Sequence, residues 1–74
     1  MSDEDESILK VLIVDDEPLV QDVLKRLLVE EGFEVDTRGT FAEGEAALAS
    51  DKYDLAILDK VLPDGDGMKL AQQL

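Results

Sequence analysis

Two segments of this chain share one plan: VLIVDDEP at residues 11–18 and LAILDKVLPDGDG at residues 55–67. In each segment, four apolar residues run directly into aspartate. A continuous apolar run of this length is typical of a strand that is covered on both faces of a parallel sheet. Ligands of open parallel sheets bind beyond the carboxyl ends of the strands. If these two strands are neighbours, Asp15, Asp16 and Asp59 converge at one edge of the sheet.

Hydrophobic patterning around these segments predicts the element order β-α-β-α-β-α. Strands are expected over residues 8–14, 33–37 and 53–58, and helices over residues 18–31, 41–49 and from 65 or 66 onward. Thr40 and Glu43 have the spacing of a capping box, and Gly32 is expected to cap the first helix in a left-handed conformation. The first helix should carry one apolar stripe, made of Leu19, Val20, Val23, Leu24, Leu27 and Leu28.

This alternation predicts an α/β fold with a parallel sheet and right-handed crossovers. The first strand is the most apolar and should be central, whereas the second is the most polar and should lie at an edge. The predicted strand order is therefore 2-1-3. The third helix stops in mid-pattern at Leu74, and the third strand is left with an unpaired apolar edge. We expect residues 8–74 to be the N-terminal portion of a larger domain, preceded by an acidic flexible tail over residues 1–7.

Composition narrows the function classes. The 74 residues contain no cysteine and no histidine, which excludes disulfides, thiolate metal sites and any histidine base or ligand from this chain. A net charge of −12 argues against binding a phosphate backbone, so no nucleic acid is expected to bind this segment. No apolar stretch approaches the roughly 18 residues of a membrane span, and the acidic start is unlike a secretory signal. We expect a cytoplasmic protein without membrane contact.

The aspartates at the strand ends have a structural and a chemical interpretation. Acids before a helix commonly cap it, which alone would explain Asp15 and Asp16. Asp59 alone could likewise be a loop or cap residue. Together, however, unpaired carboxylates about 4 Å apart repel each other by about 4 kcal/mol at an effective dielectric constant of about 20. A cation relieves this repulsion, and oxygen ligands with open positions suit Mg²⁺.

The run Asp-Gly-Asp-Gly at residues 64–67 is superficially similar to a calcium-binding loop. It lacks the alternating oxygen ligands and the closing glutamate of the twelve-residue calcium pattern. A turn followed by a helix start explains it better, with Gly65 and Gly67 supplying the turn geometry. Met68 and Leu70 are predicted to pack in the core.

Taken together, the DDEP motif at residues 15–18, Asp59 at a strand end and the LPDGDG motif at residues 62–67 closely resemble the receiver domain of two-component response regulators. The resemblance runs from about Ile8 to Leu74, and the combination of motifs is specific although neither is so alone. It implies a flavodoxin-like, doubly wound parallel sheet that is incomplete here. It also implies phosphoacceptor function in place of enzyme activity, with a sensor histidine kinase or phosphotransfer protein as partner.

The same resemblance assigns roles to individual residues. Asp59 would be the phosphoacceptor, and Asp16 would ligate Mg²⁺ directly together with Asp59. The backbone carbonyl of Val61 would be a further ligand, and Asp15 would act through water. The family also uses a Ser or Thr, a Lys and a switching aromatic residue after later strands, which these 74 residues do not include. Lys60 follows the acceptor directly and is interpreted as a solvated side chain.

Two other functions remain open from the sequence. One is a phosphorylation-independent interaction module, for example a homodimer that forms through the edge of the third strand. The other is a small Mg²⁺-dependent phosphohydrolase with an aspartate nucleophile. Its usual Asp-x-Asp signature is absent, because Asp59 is followed by Lys60 and Val61.

Overall fold

The computed structural model describes residues 8–74, so the predicted tail over residues 1–7 lies outside the described residues. The main elements are β1 (Lys10–Val14), α1 (Pro18–Glu30), β2 (Glu34–Arg38), α2 (Phe41–Ser50) and β3 (Leu55–Leu58). They are followed by two short strands, β4 (Val61–Leu62) and β5 (Gly65–Asp66), and by a 3-10 helix over Gly67–Gln73.

The main sheet has the order β2-β1-β3, and both pairings are parallel. The predicted order 2-1-3 is therefore confirmed. In the register of this sheet, Val14 at the end of β1 lies opposite Arg38 on one side and Leu58 on the other. The residues that follow all three strands consequently emerge at the same edge.

β1 forms the centre of the core, with Val11, Leu12, Ile13 and Val14 each 0% exposed. Its side chains alternate between two hydrophobic clusters, as the period of a strand requires. On one face Leu12 and Val14 pack with Ala47 of α2, Leu62 and Leu70. On the other face Val11 and Ile13 pack with Val35, and α1 covers them. The continuous apolar run in the sequence is explained by this coverage on both faces.

Only half of the predicted apolar stripe on α1 faces the sheet. Leu24 and Leu28 pack against the cluster around Val11, whereas Leu19 is 73% exposed and Leu27 is 56% exposed. The helix ends as predicted, with Gly32 at a φ of +98°. The capping box after β2 is partly different from the expectation. Thr40 accepts the Glu43 N–H, but the Glu43 carboxylate accepts the N–H of Gly39.

The segment after β3 departs most from the sequence prediction. Gly65 and Asp66 do not begin an α-helix; they pair antiparallel with Val61 and Leu62 in a hairpin. The helix that follows, Gly67–Gln73, is a 3-10 helix, and its seven residues make it longer than most 3-10 helices. Leu70 is buried as predicted, but Met68 is 52% exposed, so its assignment to the core was wrong. A seven-residue 3-10 helix buries a narrower face than the α-helix that the pattern indicated.

A network of charged residues surrounds Lys10 at the amino end of β1, opposite the edge where Asp15 and Asp59 lie. The Lys10 Nζ pairs with Asp51, lies 3.9 Å from Glu34 and sits 5.3 Å from the centre of the Tyr53 ring. The Tyr53 hydroxyl donates to Asp36 over 2.7 Å, and burial together with this bond raises the pKa of Tyr53 to about 12. Both ion pairs of residues 8–74 thus belong to Lys10, at the start of β1.

Within residues 8–74, no helix is both long enough and apolar enough to cross a bilayer.

Candidate metal centre

The structure brings Asp15, Asp16 and Asp59 together at the carboxyl edge of the sheet. Each offers a carboxylate oxygen, and these oxygens lie within 4.8 Å of one another. Asp16 is exposed, and Asp15 and Asp59 are partly buried. These are the residues that the sequence analysis expected to converge; the roles assigned to them stay predictions.

Backbone hydrogen bonds beyond the strand ends fix the positions of these aspartates. The Asp59 N–H donates to the Val14 carbonyl over 2.8 Å, and the Asp15 N–H donates to the Arg38 carbonyl over 3.0 Å. Both bonds continue the parallel pairing by one residue past the strands. Asp15 and Asp59 are therefore held by the sheet itself, although they stand 44 positions apart in the chain.

The carboxylates of Asp15 and Asp59 each accept a hydrogen bond from the turn that follows. The Glu17 N–H donates to Asp15 Oδ1 over 2.9 Å, and the Val61 N–H donates to Asp59 Oδ1 over 3.2 Å. The first turn of α1 has no side-chain cap, since Glu17 occupies the N-cap position without such a bond. Helix capping therefore does not account for Asp16, whose exposed carboxylate accepts no hydrogen bond from the described residues.

The donor set fits a hard divalent cation. Three carboxylates supply only oxygen, the ligand type that Mg²⁺ selects. Neither of the two ion pairs in residues 8–74 reaches this edge, so no lysine or arginine of that range compensates the cluster by direct pairing. The partial exposure of the cluster leaves room for water and for phosphate oxygens, which Mg²⁺ retains in protein sites.

Gln21 supports the site in a way that the sequence analysis missed. Its Nε2 donates to the carbonyl of Asp15 over 2.5 Å and to the carbonyl of Arg38 over 3.0 Å. One side chain of α1 thus ties the acidic turn after β1 to the end of β2. The available signal was a polar residue in the first turn of a predicted amphipathic helix, which by itself indicates only the edge of the apolar stripe.

Gly67 supports the site through its lack of a side chain. A Cβ at this position would lie 1.8 Å from the carbonyl oxygen of Asp59, far inside van der Waals contact. Gly32 is the glycine with a positive φ in residues 8–74, so neither Gly65 nor Gly67 adopts the left-handed conformation. At Gly67 the requirement is close approach of two backbone segments. The Gly67 N–H also donates to the Lys60 carbonyl over 2.8 Å, which closes the base of the β4–β5 hairpin.

Asp64, at the tip of this hairpin, binds the start of α2. Its two carboxylate oxygens accept the Phe41 N–H over 2.7 Å and the Ala42 N–H over 3.0 Å. These bonds, the one from Ala42 foremost, hold the pKa of Asp64 below its ordinary value. The carboxylate is accordingly ionised at neutral pH. Its contribution to stability is present above the ordinary pKa of 3.8 and is lost as the pH falls through the lower pKa of the folded state.

Comparison with known proteins identifies the family to which this chain belongs. The sequence profile described as "Response regulator receiver domain" matches residues 11–74. The transcriptional regulatory protein PmrA of Pectobacterium parmentieri is 45% identical over 62 residues, which cover 84% of this chain and 28% of PmrA. The chain belongs to the response regulator receiver domain family. Its α/β fold with strand order 2-1-3 is the flavodoxin-like fold of that family.

Two solved structures bear on the chemistry. The response regulator TrrA of Thermotoga maritima, in complex with Mg²⁺ and BeF, has a TM-score of 0.84 and 39% identity. The match covers 89% of this chain and 57% of that one. TrrA in complex with the histidine kinase ThkA has a TM-score of 0.73 and 42% identity, with the same coverage of 89% and 57%. The chain thus spans just over half the length of these structures and less than a third of PmrA.

The contact between Gly67 and Asp59 predicts a specific sensitivity to an added methyl group. Gly67→Ala should lower the free energy of unfolding by about 1–3 kcal/mol, because the backbone must move to relieve overpacking. Gly39→Ala is the matched control, since its Cβ would meet its nearest neighbour at an ordinary 3.6 Å. Urea unfolding followed by circular dichroism measures both. Equal stability of the two variants would show that the segment after β3 relaxes freely and does not fix Asp59.

Proposed function

We propose that this chain is the phosphoacceptor part of a two-component response regulator, with Asp59 as the residue that receives the phosphoryl group. The observation that carries the proposal is the convergence of three carboxylate oxygens within 4.8 Å at the carboxyl edge of a parallel sheet. Asp59 is the member that directly follows β3 and precedes the hairpin. A partner histidine kinase or phosphotransfer protein supplies the phosphoryl group from a phosphohistidine.

Each residue of the cluster then has a distinct task. One oxygen of Asp59 attacks phosphorus, and the phosphorus–nitrogen bond of the phosphohistidine breaks as the new bond forms. Asp16, Asp59 and the carbonyl of Val61 would hold Mg²⁺, and Asp15 would act on it through water. When bound, the cation neutralises charge on the transferring phosphoryl oxygens. The rigid sheet supplies the positioning, because the Val14 carbonyl and the Asp59 N–H lock the acceptor to β1.

The comparisons support the partner and the cofactor at the level of the family. TrrA was solved with Mg²⁺ and BeF in one structure and with a histidine kinase in another. For this chain, Mg²⁺ binding and kinase binding are proposals that rest on the match to TrrA and on the oxygen-only donor set.

The first test is metal binding. A cation that binds the native state alone stabilises it by RT ln(1 + [Mg²⁺]/Kd), so Mg²⁺ should raise the melting temperature of the chain. Asp16→Ala should abolish that increase, because it removes a direct ligand. Asp22→Ala on the exposed face of α1 is the matched control: it removes the same charge and should keep the Mg²⁺ effect. Thermal melts with and without Mg²⁺ measure the difference. An equal Mg²⁺ shift in the Asp16 and Asp22 variants would contradict the assignment.

The second test locates the acceptor. Treatment with acetyl phosphate followed by borohydride trapping and peptide mass mapping should place the adduct on Asp59. Asp59→Asn should eliminate it, since the amide oxygen is a poor nucleophile. We expect a low yield, because the resemblance places the family's Lys and its Ser or Thr after strands outside these 74 residues. A dominant adduct on Asp15 or Asp16 would reverse the roles assigned here.

A second candidate function is association of two copies through β3. Among the described residues β3 pairs with β1 alone, which leaves its outer backbone groups free, and Leu55 is 48% exposed beside them. Pairing of such edges is a common route to dimers. Sedimentation at micromolar concentration, with amide exchange on β3, tests this. A monomer with strongly protected β3 amides would exclude it, and a dimer unaffected by Asp59→Asn would support a phosphorylation-independent module.

A further inference from the structure

The hairpin that follows Asp59 is attached to the rest of the protein at several points, and one of them lies on α2. At its base, the Gly67 N–H bonds to the Lys60 carbonyl. Near its centre, the side chain of Leu62 is buried in the cluster around Leu12. The side chain of Val61 is 74% exposed, so packing fixes Val61 less than it fixes Leu62. At its tip, Asp64 binds α2. The tip contact is the one to which the proposed function assigns no role.

The Asp64 carboxylate binds α2 through both of its oxygens. Both carboxylate oxygens are used, on consecutive N–H groups of the first helical turn, at 2.7 and 3.0 Å. Hydrogen bonds to a carboxylate are stronger than neutral ones, and acids are further favoured at a helix N-terminus. The hairpin and α2 are also close at Gly65, the residue after Asp64: a Cβ at this position would lie only 3.2 Å from the ring of Phe41.

Helix α2 already has a cap of its own, so the Asp64 contact is not needed to begin it. Thr40 accepts the Glu43 N–H over 3.1 Å from within the same chain segment. Asp64 instead spans 22 and 23 positions of sequence to reach Ala42 and Phe41. A contact of this range orients the hairpin relative to α2.

We propose that Asp64 is a positioning residue for the metal centre: by gripping the first turn of α2 it orients the hairpin so that the Val61 carbonyl faces the cation held by Asp16 and Asp59. The inference rests on the proposed function and adds a residue to it. A buried leucine alone leaves the hairpin free to rotate about that side chain. The bond between Gly67 and Lys60 at the base and the bonds of Asp64 at the tip together prevent this rotation. Val61 lies between these two contacts.

The test compares Asp64→Ala with Thr40→Ala in the 74-residue chain. Both variants remove one cap from α2, so both should lower its stability to a similar degree. Mg²⁺ titration followed by ¹⁵N–¹H NMR gives the Kd from resonances of the folded protein. Loss of residues that orient metal ligands typically weakens binding about tenfold or more, so we expect that increase in Kd for Asp64→Ala. Thr40→Ala should change the Kd by less than about twofold, because it leaves the hairpin contact intact.

A second readout needs no metal. In the metal-free protein, Asp64→Ala should shift the amide resonances of Val61 and Gly67, whereas Thr40→Ala should shift mainly those of the first turn of α2. If the spectrum of Asp64→Ala shows that this variant is unfolded, Asp64→Asn takes its place in the Mg²⁺ titration, since asparagine keeps the shape of the side chain and removes its charge. Its Kd should then exceed that of Thr40→Ala.

The outcomes separate this inference from the proposed function. A Mg²⁺ response that depends on Asp16 and Asp59 but is the same in the Asp64 and Thr40 variants would overturn the inference alone. Absence of any Mg²⁺ response in the folded, unsubstituted chain would contradict the proposed function, and the inference would fall with it.

Discussion

The parallel pairing of β1 with β3 is the interaction on which the site depends. It aligns Val14 with Leu58, and the hydrogen bond from the Asp59 N–H to the Val14 carbonyl extends it to the acceptor position. If β3 were displaced along β1 by one residue, every side chain of β3 would move to the opposite face of the sheet. Asp59 would then no longer face Asp15 and Asp16. The packing of the β1 side chains in two separate clusters prevents this displacement, because each cluster accepts side chains from one face of β3 alone.

The sequence predicts this arrangement well because its signals are regular. Four consecutive apolar residues in β1 indicate burial on both faces, and the more polar β2 indicates an edge. These two facts suffice for the strand order 2-1-3. Aspartates at the ends of two predicted strands then give the location of the site, since parallel strands end at the same edge of a sheet. The positions of Asp15, Asp16 and Asp59 are consequences of topology, and topology is encoded in hydrophobic pattern.

The remaining features depend on contacts between segments that are distant in the chain, and such contacts leave no periodic signal. Asp64 belongs to an Asp-Gly-Asp-Gly run that indicates a turn, but its partners on α2 depend on where the hairpin lies. Gly67 looks like a turn glycine, although its neighbour is the Asp59 carbonyl. Gln21 looks like an ordinary polar helix residue until the two carbonyls that it bridges are seen. The 3-10 helix was predicted as an α-helix because the apolar positions of a short segment are compatible with both.

The long separation between the two halves of the site also affects the order in which it can form. β1 pairs with β2 across 24 positions, as between Val11 and Val35, but with β3 across 44, as between Val11 and Leu55. Closing the longer loop costs more chain entropy, and contacts of long range slow folding. A chain that has formed only β1, α1 and β2 holds Asp15 and Asp16 without Asp59. The appearance of cation affinity during refolding would therefore mark the arrival of β3 at the sheet.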